Sequence, residues 1–157
     1  MTYRQRIEEA FPQKLIEEKF GVVDRKVFVD WAAKRHEILR QRDRNWLKKN
    51  PGVKLPDSET YFTAVCEALK NSDGADHYTG KPLDWRATLN GSGLTEAEKR
   101  QKRVTFDHCC GRDLEHLKFV LCAGKTNDAK NDLSEKDFVD LCELVYKHRR
   151  PGKADGK

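Results

Sequence analysis

The sequence predicts an α+β fold, mainly helical, in which a helical N-terminal part precedes one small two-stranded unit and a packing helix closes the chain. Three observations carry this. Two short β-prone runs, Val104-Thr105-Phe106 and residues 119–122, each lead into a glycine turn, at Gly111 and at Gly124. Apolar residues recur with a helical period at Val27, Phe28, Trp31, Ala32, Ile38 and Leu39, and again at Tyr61, Phe62, Val65 and Leu69. Near the end, Ser134 with Asp137 in the reciprocal position forms a helix start, and Phe138, Val139, Leu141, Cys142, Val145 and Tyr146 form the stripe that this helix is expected to bury across the sheet.

In chain order, residues 2–20 carry Ile7, Ala10, Phe11, Leu15, Ile16 and Phe20 and are interrupted by Pro12. Two short helices or one kinked helix satisfy that pattern. Gly21 ends the stretch, and Asp24 caps a second helix whose far part is dense in cations: Lys34, Arg35, Arg40, Arg42, Arg44, Lys48 and Lys49, with Trp46 among them. Two readings stand level. The cations follow a phosphate backbone, or they form a solvated face partly balanced by Asp30, Glu37 and Asp43, with Trp46 in the core.

Asn50, Pro51, Gly52 and Pro56 mark a loop, and Ser58 offers the cap of the next helix. The run NSDGAD then reads as a boundary. It divides the chain into a helical region 1–73, expected to dock DNA, a unit 74–148, and a flexible basic tail 149–157 with no apolar anchor. Within ATLNGSGLTEAEKRQKR, Thr95 and Glu98 form a capping box for a short helix ending in Lys99, Arg100, Lys102 and Arg103. Those cations touch a phosphate backbone or simply solubilise the surface. After Gly124, Asn127, Lys130 and Asn131 fall on one face of a short helix.

Composition bounds the function. The 157 residues suffice for one compact domain, or a small module with a helical extension. Hydrophobic residues make up 37% and charged residues 36%, and 31 basic against 26 acidic residues leave a net charge of +5, which permits a polyanionic partner without requiring one. No apolar run is long enough to cross a bilayer, and the opening MTYRQRIEEA lacks the apolar segment of a signal peptide, so no membrane partner and a cytoplasmic setting are expected. Five cysteines, Cys66, Cys109, Cys110, Cys122 and Cys142, are an odd number without framework spacing and read as reduced thiols. Cys122 and Cys142 are expected to be buried, with Cys109 and Cys110 pointing different ways from a loop.

The segment 104–131 places Asp107 and His108 side by side at the end of a strand, and a hairpin and helix return carboxamides toward them. A carboxylate beside an imidazole suits a hard cation and a general base. The Asp-His pair in FDHCCG, the strand LKFVLC and the run TNDAKNDLSEKDF together resemble the HNH endonucleases, the ββα-metal or His-Me finger group. Upstream, HYTGKPLDW is similar to the knuckle that often precedes their motif. The resemblance covers about residues 76–145.

The resemblance implies a small two-stranded ββα-metal motif and a metal-dependent endonuclease or nickase acting on DNA. His108 would be the general base, and Asp107 with Asn127 would hold one Mg2+ or Mn2+ ion, Asn131 standing as replacement or helper for Asn127. Lys130 would hold a phosphate, and Lys118, Arg112, Arg103 and Arg42 are the other expected nucleic-acid contacts. The asparagine that braces the base in this family is replaced by His116, which can donate the same kind of hydrogen bond. A structural zinc is not expected, because the paired Cys-x-x-Cys ligands of many relatives are missing. A partner protein or a homodimer is compatible with the pattern. The alternative is a non-catalytic nucleic-acid-binding or protein-interaction module on the same scaffold.

Overall fold

The computed structural model describes residues 1–22 and 24–150 and is mixed α+β. Helix α1 (Tyr3–Ala10) opens on a capping box, in which the Thr2 side chain accepts from the Gln5 amide and the Gln5 side chain accepts from the Thr2 amide. Pro12 lacks an amide hydrogen, so the chain breaks there and restarts as α2 (Gln13–Phe20). Gly21, at φ 64°, turns the chain out of that helix. Asp24 caps α3 (Arg25–Ala32) through the Val27 amide, as its sequence position implies.

The expected second helix is two. After Ala33 and Lys34 the chain turns into α4 (Arg35–Leu47), so that α3 packs against α1 and the later helix at Trp85–Leu89 while α4 packs against the next helix. No local breaker marks that turn; packing in two directions makes it. Helix α5 (Ser58–Asn71) is capped by Asp57, one residue before the expected Ser58, because the Asp57 carboxylate reaches the Thr60 amide at 2.7 Å. Two short helices follow, α6 (Trp85–Leu89) and α7 (Glu96–Lys102), the latter carrying the Thr95–Glu98 capping box.

Strands β1 (Val104–His108) and β2 (Phe119–Ala123) pair antiparallel, with Val104 opposite Ala123 and His108 opposite Phe119. Helix α8 (Gly124–Lys130) starts directly from β2. Gly124 is required at this junction, because a Cβ there would lie 2.0 Å from the Arg100 carbonyl oxygen. Its amide donates to the Arg103 carbonyl at 2.9 Å and ties α8 to the end of α7.

The division at residue 73 separates no cores. Phe28 meets Phe11, Phe20 and Trp85, Trp31 stacks on Phe106 at 5.8 Å between ring centroids, and Tyr61 meets Phe119. Buried residues from Ile7 to Leu121 therefore form one cluster, with α5 against β2. The N-terminal helices are a wall of the site.

The closing helix α9 (Glu135–Arg149) departs from expectation. It has no buried residue, and Val139, Leu141, Val145 and Tyr146 are exposed, as is Cys142. One face of the two-stranded sheet is already covered by α5 and the other by α8, which leaves the helix only a foothold at its first turns. There the Glu135 amide donates to the Cys109 carbonyl and Phe138 meets the edge of Tyr78. Arg149 ends α9, and residues 151–157 of the expected flexible tail lie outside the described residues. No helix among the described residues is long and apolar enough to cross a membrane.

The contrast between a filled core and an exposed stripe has a measurable outcome. Phe28→Ala is expected to lower unfolding free energy by about 3–5 kcal/mol, the usual cost of emptying a buried aromatic site. Leu144→Ala on α9 is expected to stay within about 0.5 kcal/mol. Urea titration of the two variants checks both.

Candidate functional site

Residues 76–80 form the knuckle that sets one side of the site. Asp76 is buried; its carboxylate accepts the Tyr78 and Thr79 amides at 3.0 Å and the Ala123 amide of β2 at 2.8 Å. This staple presents the Tyr78 hydroxyl to Asp107 Oδ2 at 2.6 Å. Lys130, the last residue of α8, reaches the same oxygen with Nζ at 2.9 Å and donates to the His108 carbonyl at 3.0 Å. Asp107 is 4% exposed and Lys130 wholly buried, so the two form an internal ion pair made through Asp107 Oδ2.

Successive strand residues face opposite ways, and His108 turns from Asp107 toward α4. Its Nε2 lies 3.0 Å from Asp43 Oδ2 and 3.1 Å from Oδ1, and its ring sits against Phe119. Asp43 is fully buried and also accepts from the Tyr61 hydroxyl at 2.7 Å and from Arg112 at 3.1 Å. With Nε2 occupied, the buried His108 Nδ1 has no hydrogen-bond partner among the described residues. Arg112 continues to Asp132 at 2.8 Å and stacks over Trp46, which is half-buried.

These groups border a cavity of about 430 Å³ lined by Asp107, His108, Arg42, Arg112, Asn127 and Asn131, together with Arg100, Gly111, Asp128 and Asp132. The structure therefore brings the expected acid, imidazole and both carboxamides to one place. Asp107 Oδ1 and the side chains of Asn127 and Asn131 have no hydrogen-bond partner among the described residues. Asn131 lies just past α8 at φ 52°, a strained position for a residue with a Cβ.

Other expected site residues take different places. Lys130 cannot reach a phosphate from its buried position, since its charge is spent on Asp107 and the His108 carbonyl. His116 is an exposed loop residue bonded to Asp113 at 3.0 Å and does not line the cavity. The backbone brace expected of it is supplied by Lys130. Lys118 is exposed and borders a separate hollow beside Cys109 and Glu135. Arg103 is exposed and lies next to the cavity without lining it, whereas Arg42 turns inward to donate to the Phe106 carbonyl at 3.3 Å. Cys109 and Cys110 point together, their sulfurs 3.1 Å apart.

Asp43, Tyr78 and Tyr61 were not among the expected site residues. Tyr78 sits in the knuckle motif, which was a usable signal. Asp43 offered none, being one acid in a basic run, where charge balance is the ordinary reading.

Electrostatics follow from burial. Desolvation alone would raise the Asp43 carboxyl, but the hydrogen bond and charge of His108, with Tyr61 and Arg42, outweigh it and hold Asp43 below the usual carboxylate range. Burial, then the hydrogen bond to Asp43, pushes the Tyr61 phenol up; burial and Asp107 do the same to Tyr78. Burial lowers the Arg42 guanidinium and pushes the Cys122 thiol up to about 12.

Among the described residues no group of three or more His, Cys, Asp or Glu side chains is arranged to hold a metal ion. Any cation here would rely on one carboxylate oxygen and the amide oxygens of Asn127 and Asn131. Such a sparse oxygen set fits magnesium or manganese, which keep several waters, and does not fit zinc. Comparison of the chain with family models, with curated proteins and with solved structures finds no match.

Two outcomes test the buried pairs. Lys130→Met is expected to cost about 3–5 kcal/mol, because it strands the Asp107 charge, and the double variant with Asp107→Asn recovers most of it. Because the folded Asp43 carboxyl is held below its unfolded value, its contribution is complete above the ordinary carboxyl range and is lost as pH falls through the folded value. Urea midpoints measured from pH 7 down to pH 3 should therefore decline less steeply in Asp43→Asn than in the parent protein.

Proposed function

We propose that the protein is a metal-dependent phosphodiesterase of the HNH, ββα-metal type, an endonuclease or nickase acting on DNA. The observation that carries this reading is the shared cavity, which joins Asp107, His108, Asn127 and Asn131 with Arg42 and Arg112. In sequence a hairpin separates the adjacent acid and base from the two carboxamides. Convergence of those donors with two guanidinium groups matches what phosphodiester hydrolysis needs: an activated water, countercharge on the phosphorane-like transition state, and a fixed substrate phosphate.

In this reading His108 is the general base. Asp43 accepts from Nε2, so Nδ1 is the nitrogen left to take a proton from the attacking water, and the Asp43 charge stabilises the imidazolium that results. Arg112 and Arg42 line the same cavity, and their positive charge offsets the growing negative charge of the scissile phosphate. Asp107 Oδ1, with the amide oxygen of Asn127 or Asn131, would hold Mg2+ or Mn2+, which supplies Lewis-acid polarisation of the phosphate when bound. Tyr78 and Lys130 keep the carboxylate aimed by occupying its other oxygen.

One observation favours the second reading, a nucleic-acid-binding module without chemistry: His108 Nε2 and one oxygen of Asp107 are already partnered by protein groups. Supercoiled plasmid separates the two. With purified protein, nicked circles are expected in Mg2+ or Mn2+ and not in EDTA, with His108→Ala reducing the rate at least 100-fold, the scale of a lost general base. His116→Ala is expected to change it less than about threefold, since that side chain lies off the cavity. Retarded plasmid without nicks in every cation would establish the binding module instead.

A further inference from the structure

Beside the cavity just described lies a second, of about 210 Å³, whose lining includes Arg35, Arg42, Arg103 and Asn127 and no acidic residue. Arg42 and Asn127 line both cavities and form the wall between them. Arg35 and Arg42 stand two turns apart on one face of α4, and Arg103 enters from the end of α7.

Three guanidinium groups thus converge with little to balance them. Arg35 donates Nε to the Trp31 carbonyl at 3.2 Å and lies over the Trp31 ring. Arg42 donates from Nη1 to the Phe106 carbonyl, its Nε is 3.7 Å from Asp43, and among the described residues the buried Nε and Nη2 have no hydrogen-bond partner. Among the described residues neither Arg35 nor Arg103 is paired with a carboxylate. Burial, followed by the charge of Arg103, disfavours the protonated Arg35, and burial does the same to Arg42. Phe106, Val104 and Leu39 supply an apolar floor that strengthens the field. Like charges held this way are costly, and an oxyanion offsets the cost; guanidinium forks match the oxygens of phosphate.

We propose that this three-arginine pocket binds a backbone phosphate of the nucleic acid, next along the strand from the phosphodiester at the Asp107–His108 cavity. The identity of the polymer rests on the nuclease reading; the preference for a phosphate oxyanion rests on the pocket.

The test measures binding, not cleavage. Fluorescence anisotropy of a labelled short DNA duplex is followed against salt concentration in EDTA, with gels verifying that the duplex stays intact. Each of Arg35→Gln and Arg103→Gln is expected to weaken binding and to flatten the slope of log affinity against log salt by about 0.9, the value for one lost phosphate contact. Arg103→Lys is expected to keep the slope, as is Lys14→Gln on the exposed face of α2. Should Arg35→Gln fail to fold by circular dichroism, Arg103→Gln, changed at the surface, decides alone. Folded variants with the parent slope overturn the proposal. So does a thermal shift of the parent by inorganic phosphate, lost in both variants, with unaltered DNA slopes, since the ligand is then a free phosphate. Arginine-dependent slopes without any nicking in Mg2+ overturn the nuclease reading and leave the pocket standing, and nicking with unaltered slopes does the reverse.

Discussion

One buried carboxylate holds the architecture of the site. Asp43 has no exposed surface, and its two oxygens take up Tyr61 of α5, His108 of β1 and Arg112 of the hairpin loop. An isolated charge at that depth would be prohibitively costly, so each partner is a condition of the others. Helix α4, helix α5 and the segment 108–112, far apart in sequence, are thereby brought to one point, and the imidazole is oriented through the nitrogen that points at α4. This cluster and the Asp107–Lys130 pair meet the same strand end, and Asp107 and His108 both line the cavity.

The two internal pairs divide labour along β1. Lys130 reaches both the Asp107 carboxylate and the His108 carbonyl, so the short helix α8 fixes the acid's direction and the backbone behind the base at once. Its approach depends on Gly124, where α8 touches the carbonyls at the end of α7. On the other face Asp43 orients the ring itself. A small sheet of two strands has little stiffness of its own, and it is the helices α4, α5 and α8 that give the site its rigidity.

The sequence made some of this legible. The strand pair, the helix after Gly124, the caps at Asp24, Thr95 and Ser134 and the break at Pro12 are local features, and each was read from a few adjacent residues. Asp107, His108, Asn127 and Asn131 were legible as a group, and they meet at one cavity. Other features depended on neighbours that no local pattern names. Lys130 reads as an exposed helical cation until Asp107 is seen beside it. The apolar stripe of α9 reads as buried, but the sheet has no free face left to receive it.

By itself, then, the chain determined its mixed helical and two-stranded character, the helix starts at Asp24, Thr95 and Ser134 and the chemistry-bearing pair at the end of β1, because capping, turn formation and strand pairing act over a few residues. Only tertiary structure decided that Asp43 is the partner of His108, that Tyr78 and Lys130 share Asp107, that His116 stays outside, and that α3 and α4 are separate helices. The physical reason is burial. Whether a charge is solvated or must find a partner depends on what packs over it, and that is a property of the assembled fold.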